Sequence, residues 1–179
     1  VTPSDSELIA RVLASDDRAA FGELVQRHQS SVRQFLRYLT RGDVATADDL
    51  AQETFVHAYR SLARFRGDAS FSTWLLGIGR NYWRNAQRRD LRRDQLVEPM
   101  RGTVSPTATH SADLRHDLTL ALRELTTDER LAIHLGYQEG KSHSEIAALL
   151  DWPLGTVKTH LARAKEKLRH LLAAWNPQI

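Results

Sequence analysis

The stretch EIAALLDWPLGTVKTHLARAKEKLR, Glu145–Arg169, decides what kind of fold this chain takes. From about Ser144 to Leu150 it places Ile146, Ala147, Leu149 and Leu150 at helical spacing, and Asp151, Trp152 and Pro153 then interrupt the pattern. Val157, Leu161, Ala164, Leu168 and Leu171 resume it as a long stripe. Apolar residues three and four apart share one side of a helix, so the stretch predicts helix, tight turn, helix. On the second helix Thr156, Thr159, His160, Arg163 and Lys167 project mostly from the side opposite the stripe. Such side chains can donate to base edges and phosphates in a major groove, and the backbone amides near Gly155 and Thr156 would add an anion site. A plainer reading stays open, a solvated basic face on a helical hairpin.

Working outward, Ser142 with Glu145 is a start signature for the first of these helices. Thr126 with Glu129 marks another, which carries Leu131 and Leu135 and ends at Gly140, and Leu118, Leu122 and Leu125 mark one before it. Between about Asp94 and Ser111 the apolar period gives way to Pro99, Gly102, Pro106 and several Ser and Thr, the composition of a flexible linker. Beyond it lie a short stripe (Leu8, Ile9, Val12, Leu13) and a longer one (Phe21, Leu24, Val25, Val32, Phe35, Leu36, Leu39). Thr46 with Asp49 gives a further start signature, for a helix burying Leu50, Phe55, Ala58, Tyr59 and Leu62. A loop from Arg64 to Ser70 containing Gly67 precedes a fourth helix with Trp74, Ile78 and Tyr82. No period-two pattern occurs, so the expected fold class is all-α. Two small helical domains, residues 5–93 and 115–175, are expected to flank a flexible linker, 94–114.

A chain of 179 residues has room for two such domains. It has no cysteine, which removes disulfides, thiolate zinc sites and thiol redox sensing. No apolar run approaches the roughly 18 residues of a membrane span. The early acids Asp5 and Glu7 do not make a secretory leader, so a cytoplasmic protein without membrane insertion is expected. The net charge is only +3, but it is unevenly spread. Seven arginines stand between Arg80 and Arg101, and five Lys or Arg between Leu154 and His170 oppose Glu166 alone. Between Arg41 and Glu53, acids predominate.

Arg80, Arg84 and Arg88 recur every fourth residue on a helix face well around from Trp74, Ile78 and Tyr82. Like charges so placed repel one another, and phosphates would neutralise them with release of counterions. Asn81 borders that stripe, and Trp83 belongs to neither face, so its exposure is expected. Asp48, Asp49, Gln52 and Glu53 form the open side of the third helix, which is also what an acidic first turn favoured by the helix dipole looks like. Arg66, Asp68 and Ser70 sit in the loop beside Phe65, Phe71 and Trp74, of which the last two read mainly as core. The eight histidines are scattered without an HExxH motif, and His28 on an apolar face reads as a satisfied core histidine. No catalytic, cofactor or metal site is expected.

The words of Glu145–Arg169, with Gly155, Thr156, Val157 and Lys158 followed by Arg163, Ala164 and Leu168, resemble the minus-thirty-five-binding domain of extracytoplasmic-function sigma factors of the sigma-70 family. The resemblance implies Lys158, Thr159 and Arg163 as leading DNA contacts, joined by Thr156, His160 and Lys167. Thr159 and His160 stand where that family more often has Ser and Arg, His143 where an aromatic is usual, and Asn85 where Asp is common. TVKTHL is also similar to response-regulator and quorum-sensing activators, which keeps a dimeric helix-turn-helix activator as the alternative.

The order of features from Glu7 to Arg93 is similar to the same sigma family and separates the two. It implies that DDLAQETF, Asp48–Phe55, docks on the clamp helices of the polymerase largest subunit through Asp48, Asp49, Gln52 and Glu53. It implies that RFRGDASFSTWL, Arg64–Leu75, captures a flipped minus-ten base with Arg66, Asp68 and Ser70, while Arg80, Asn81, Arg84 and Arg88 hold the opened DNA. The implied partners are core RNA polymerase (clamp helices and flap), promoter DNA and an anti-sigma factor, including one held at the membrane. The implied activity is transcription initiation without enzymatic chemistry.

Overall fold

A computed structural model of the chain describes residues 2–94, 122 and 124–175. The chain divides into two compact units, Val1–Val104 and Ser105–Ile179. Apart from Asp94, the expected linker lies outside the described residues, as does most of the helix expected around Leu118. Every regular element among the described residues is helical.

The N-terminal unit contains α1 (Asp5–Ser15), α2 (Arg18–Leu39), α3 (Val44–Ser61), a 3-10 turn (Leu62–Arg64) and α4 (Phe71–Asp94). Its start signals come from side chains that accept otherwise unpaired amides. Ser4 and Glu7 form a reciprocal capping box on α1, and Asp17 accepts from the Ala20 amide at 3.0 Å to open α2. The third helix departs from expectation, because Thr46 and Asp49 do not form its start. Arg41 and Gly42, both at positive φ, turn the chain back after α2, and Asp43 becomes the cap. Its carboxylate takes both the Thr46 amide and the Thr46 hydroxyl, at 3.1 and 2.7 Å, so the hydroxyl meant to cap is itself a donor.

Leu8, Leu24, Phe35, Leu36, Leu62, Leu75 and Leu76 fill the core between these helices. Gly79 lets α4 approach closely, since a Cβ there would stand 3.2 Å from Thr54 Oγ1 and 3.5 Å from Leu36 Cδ2. Thr54 is itself buried and returns its hydroxyl to the Leu50 carbonyl at 2.7 Å.

The C-terminal unit contains α5 (Thr127–Ile133) running into a π-helical turn (His134–Gln138), then α6 (His143–Leu150) and α7 (Leu154–Trp175). Both expected capping boxes form, Thr126 with Glu129 and Ser142 with Glu145. Asp151 takes the left-handed conformation at φ 59° to end α6, and Pro153 leads directly into α7. Leu131, Leu135, Ile146, Val157, Leu161 and Ala164 are buried. Gly136 leaves room for Leu161 and Ile146 to approach within 3.5 and 3.8 Å of where its Cβ would be.

Candidate nucleic-acid interface

The arginine stripe rides on α4, whose other side enters the core through Leu75, Leu76 and Ile78. Tyr82 leans on His57 of α3, hydroxyl to Nδ1 at 3.3 Å, which steadies the helix where the stripe begins. Arg84 is half-buried, and Asn81 and Arg88 are exposed. Several arginines of the other helices have carboxylate partners: Arg27 has Asp5 and Glu23, and Arg33 and Arg37 flank Asp48 at 3.5 and 3.9 Å. No ion pair among the described residues involves Arg84 or Arg88. Two such cations one turn apart on one helix face, next to Arg80, mark a place where fixed anions lower the energy. Trp83, expected to be exposed, is half-buried with its indole N–H shielded from solvent.

At the head of α4 the loop from Phe65 to Ser70 turns through Gly67 at φ 77°. Beneath it Phe65, Phe71 and Trp74 meet as three mutually tilted rings, with centroids 5.3 to 5.7 Å apart. Phe71 is buried while Phe65 and Trp74 keep part of their surface in solvent, so the rings form a floor and not a closed core. Arg66 and Asp68 are exposed above that floor. Ser70 has a structural task as well, because its hydroxyl accepts the Thr73 amide at 3.2 Å and meets the Thr73 hydroxyl at 2.9 Å, which starts α4.

On α3, Asp49, Gln52 and Glu53 are exposed at the spacing of one face, and the same face continues into Val56, half of whose surface is open. Sequence reading missed Val56; the signal was an apolar residue three and four places beyond Glu53 and Gln52, off the buried stripe. Asp48 faces α2 and is engaged by Arg33 and Arg37, so it braces the helix pair as well as bordering the acidic face.

In the C-terminal unit α7 buries Val157, Leu161 and Ala164 and exposes Lys158, Thr159 and Arg163. The Thr159 hydroxyl donates to the Gly155 carbonyl at 2.8 Å, which holds its rotamer. His160 is half-buried against Trp152 of the turn, with ring centroids 5.0 Å apart. Of the two amides expected to bind an anion, that of Thr156 already donates to the Pro153 carbonyl at 2.9 Å. Lys167 has a structural task as well. Its ammonium lies 2.7 Å from Glu129 Oε2, tying α7 to the start of α5. Burial pushes the Glu129 carboxyl up, but the Lys167 ammonium and the Thr126 amide outweigh it and hold it below the usual carboxylate range.

The comparisons with known proteins fit this geometry. The sigma-70 region 2 family model matches residues 24–93, and the sigma-70 region 4 model matches residues 115–168. These are the two sigma-70 regions, carried by the N-terminal and C-terminal units respectively. The ECF RNA polymerase sigma-E factor of Haemophilus influenzae is 34% identical over 182 residues, 93% of this chain and 94% of that protein. Its counterpart in Escherichia coli K12 is 36% identical over 180 residues, 92% of each. Among solved structures, the sigma factor RpoE of Bartonella quintana, in complex with the anti-sigma factor NepR, is 28% identical with a TM-score of 0.59, covering 85% of this chain and 96% of that one. CnrH in complex with the cytosolic domain of CnrY is 30% identical with a TM-score of 0.57, covering 95% and 97%. The chain belongs to the ECF RNA polymerase sigma factors. It is an alternative sigma factor, a transcription initiation factor of a family that is not enzymatic. The activator alternative gains no support, because the N-terminal half matches a sigma region as well as the C-terminal half does.

Proposed function

We propose that the two units, joined by residues 94–114, divide promoter recognition between them. The N-terminal unit docks on core polymerase through Asp49, Gln52, Glu53 and the border residue Asp48. Arg66, Asp68 and Ser70 take an unpaired minus-ten base onto the aromatic floor, and Arg80, Asn81, Arg84 and Arg88 track the opened backbone. The C-terminal unit reads the minus-thirty-five element with Thr156, Lys158, Thr159, His160 and Arg163, while Lys167 serves the fold. The observation that carries this reading is the conjunction on α4, where an aromatic floor under a polar loop leads into Arg84 and Arg88, two cations with no carboxylate partner among the described residues. Aromatic faces accept unstacked bases and cations accept phosphates, so one helix supplies both halves of a single-strand site. Strand separation is then driven by trapping bases, with no hydrolytic step, and the protein works in the cytoplasm. An anti-sigma partner fits the same scheme, supported by the complexes in which RpoE and CnrH were solved. No helix among the described residues is long and apolar enough to cross a membrane, so membrane control would come through that partner.

The test separates the surfaces. Replacing Asp49 and Glu53 together by Ala weakens binding to core polymerase by about tenfold and leaves duplex binding to the upstream element unchanged. Arg163→Ala does the reverse, costing about tenfold on the upstream duplex, the scale of one lost base contact. If Arg163→Ala abolishes polymerase binding, or the α3 variant leaves it untouched, the assignment is wrong.

A further inference from the structure

Helix α1 precedes the residues that the region 2 model matches, yet its first turn reaches the minus-ten loop through a chain of specific contacts. Asp5 accepts from two consecutive residues of α2, Arg27 at 3.1 Å and His28 Nε2 at 2.7 Å. A carboxylate only accepts, so Nε2 carries the proton. Arg27 is held in turn by Glu23, one turn back on α2. The His28 side chain is only 17% exposed, and its ring stands edge-on to Phe71, centroids 5.5 Å apart and planes at 71°. Phe71 is the first residue of α4 and the buried member of the floor, in contact with both Phe65 and Trp74. Helix α1 also packs on the 3-10 turn Leu62–Arg64 that enters the loop, so it touches the loop's entrance directly and its exit through His28.

We propose that His28 is a positioning residue for base capture. Asp5 locks the imidazole in one rotamer, the imidazole edge sets the plane of Phe71, and Phe71 sets the Phe65 and Trp74 faces on which the captured base stacks. His28 never touches DNA. A stacking surface binds well only if it is already in place, and a side chain held by a hydrogen bond to a carboxylate supplies that order in advance. Without the Asp5 bond the imidazole can pivot, and the floor must be organised at the cost of binding. This proposal rests on the base-capture reading of the loop given above.

The experiment uses the full chain assembled with core polymerase. Its probe is a fluorescent single-stranded DNA oligonucleotide selected on the wild-type holoenzyme from a randomised pool. His28→Ala and Asp5→Ala each weaken oligonucleotide binding by about fivefold, the scale on which residues remote from a ligand modulate affinity. The double variant is no weaker than either single one, because both remove the same constraint. Asp5→Asn keeps an oxygen that can accept from His28 Nε2, and it restores affinity to within about twofold of wild type. Polymerase affinity and upstream duplex binding stay unchanged in all four. The proposal is overturned if the alanine variants bind the oligonucleotide like wild type. It is equally overturned if oligonucleotide, polymerase and duplex binding fall together with the unfolding temperature, as a purely structural contact requires. If the wild-type holoenzyme selects no oligonucleotide at all, the base-capture reading itself falls and takes the proposal with it.

Discussion

The two units solve the problem of burial differently. In the N-terminal unit three helices of 18 to 24 residues close over a core that is apolar except for Thr54, whose hydroxyl is satisfied within its own helix. In the C-terminal unit the helices that pack against α7 among the described residues are α5 and α6, of seven and eight residues, α5 running on into its π-helical turn, and Glu129, His134 and Lys141 are buried there. Short helices cannot bury enough apolar surface to organise themselves, so capping boxes, the Glu129–Lys167 pair and the His134–Gln138 hydrogen bond supply part of the order. The difference separates hydrophobic from electrostatic sensitivity. Cavities should damage the first unit most, and protons should damage the second.

The largest expected effect is a cavity. Phe35 is fully buried in the N-terminal unit, and Phe35→Ala costs about 3–5 kcal/mol of that unit's stability. Hydrogen exchange of the full chain, read peptide by peptide, places the loss in α1–α4 and leaves α5–α7 protected. Equal loss in both would break the comparison. Next comes the stitch in the second unit. Glu129→Ala removes the capping box and leaves Lys167 without its partner, at a cost of about 2 kcal/mol seen only in the C-terminal peptides. Phosphate-like salt dependence at Lys167, with no loss of stability in Lys167→Met, would restore Lys167 to the DNA-facing set.

A smaller effect follows from pH. Burial holds the His134 imidazole below its ordinary value, opposed by the Gln138 bond and the Glu139 charge, and Glu129 is also held below the usual carboxylate range. In both cases the unfolded chain takes up its proton at a higher pH than the folded one, so stability rises with pH. It is fully present above the ordinary histidine range and declines as pH falls below about 6.5, with the Glu129 contribution following below about 4. Exchange protection of the C-terminal peptides therefore falls between pH 7.5 and 5.5, and His134→Phe flattens that slope. A profile unchanged by His134→Phe would place the acid sensitivity elsewhere.

The same contrast explains what the sequence made legible. Helical periodicity was strong enough to place all four N-terminal helices and the helix-turn-helix. The start signals of α5 and α6 formed as written, because a short helix depends on its cap. The start of α3 did not, because the left-handed turn at Arg41 and Gly42 delivers Asp43 to the amides first. Among the candidate site residues, Arg66, Asp68, Arg88, Lys158 and Arg163 lie on the surface where their helix phase or loop predicts. Lys167 could not be assigned from phase, since its partner Glu129 is 38 residues away and only the packing of α7 on α5 brings them together. His28 reads from the sequence as a satisfied core histidine, but its partner Asp5 was hidden for the same reason, since no local pattern encodes the contact of their two helices.

If Arg84 and Arg88 of α4 hold the opened strand, promoter opening depends on them, and run-off transcription reads that dependence most directly. Core RNA polymerase is reconstituted with the full chain on promoters recovered from a genomic library, comparing wild type with the variant carrying Arg84→Ala and Arg88→Ala. The prediction is discrete, promoter-dependent transcripts from wild type and few from the variant. The variant should still bind polymerase normally, and the salt slope of its promoter complexes should fall by about one unit per arginine removed. Contradiction would be a wild-type protein that directs polymerase to no promoter, or a variant that transcribes with wild-type yield and salt dependence.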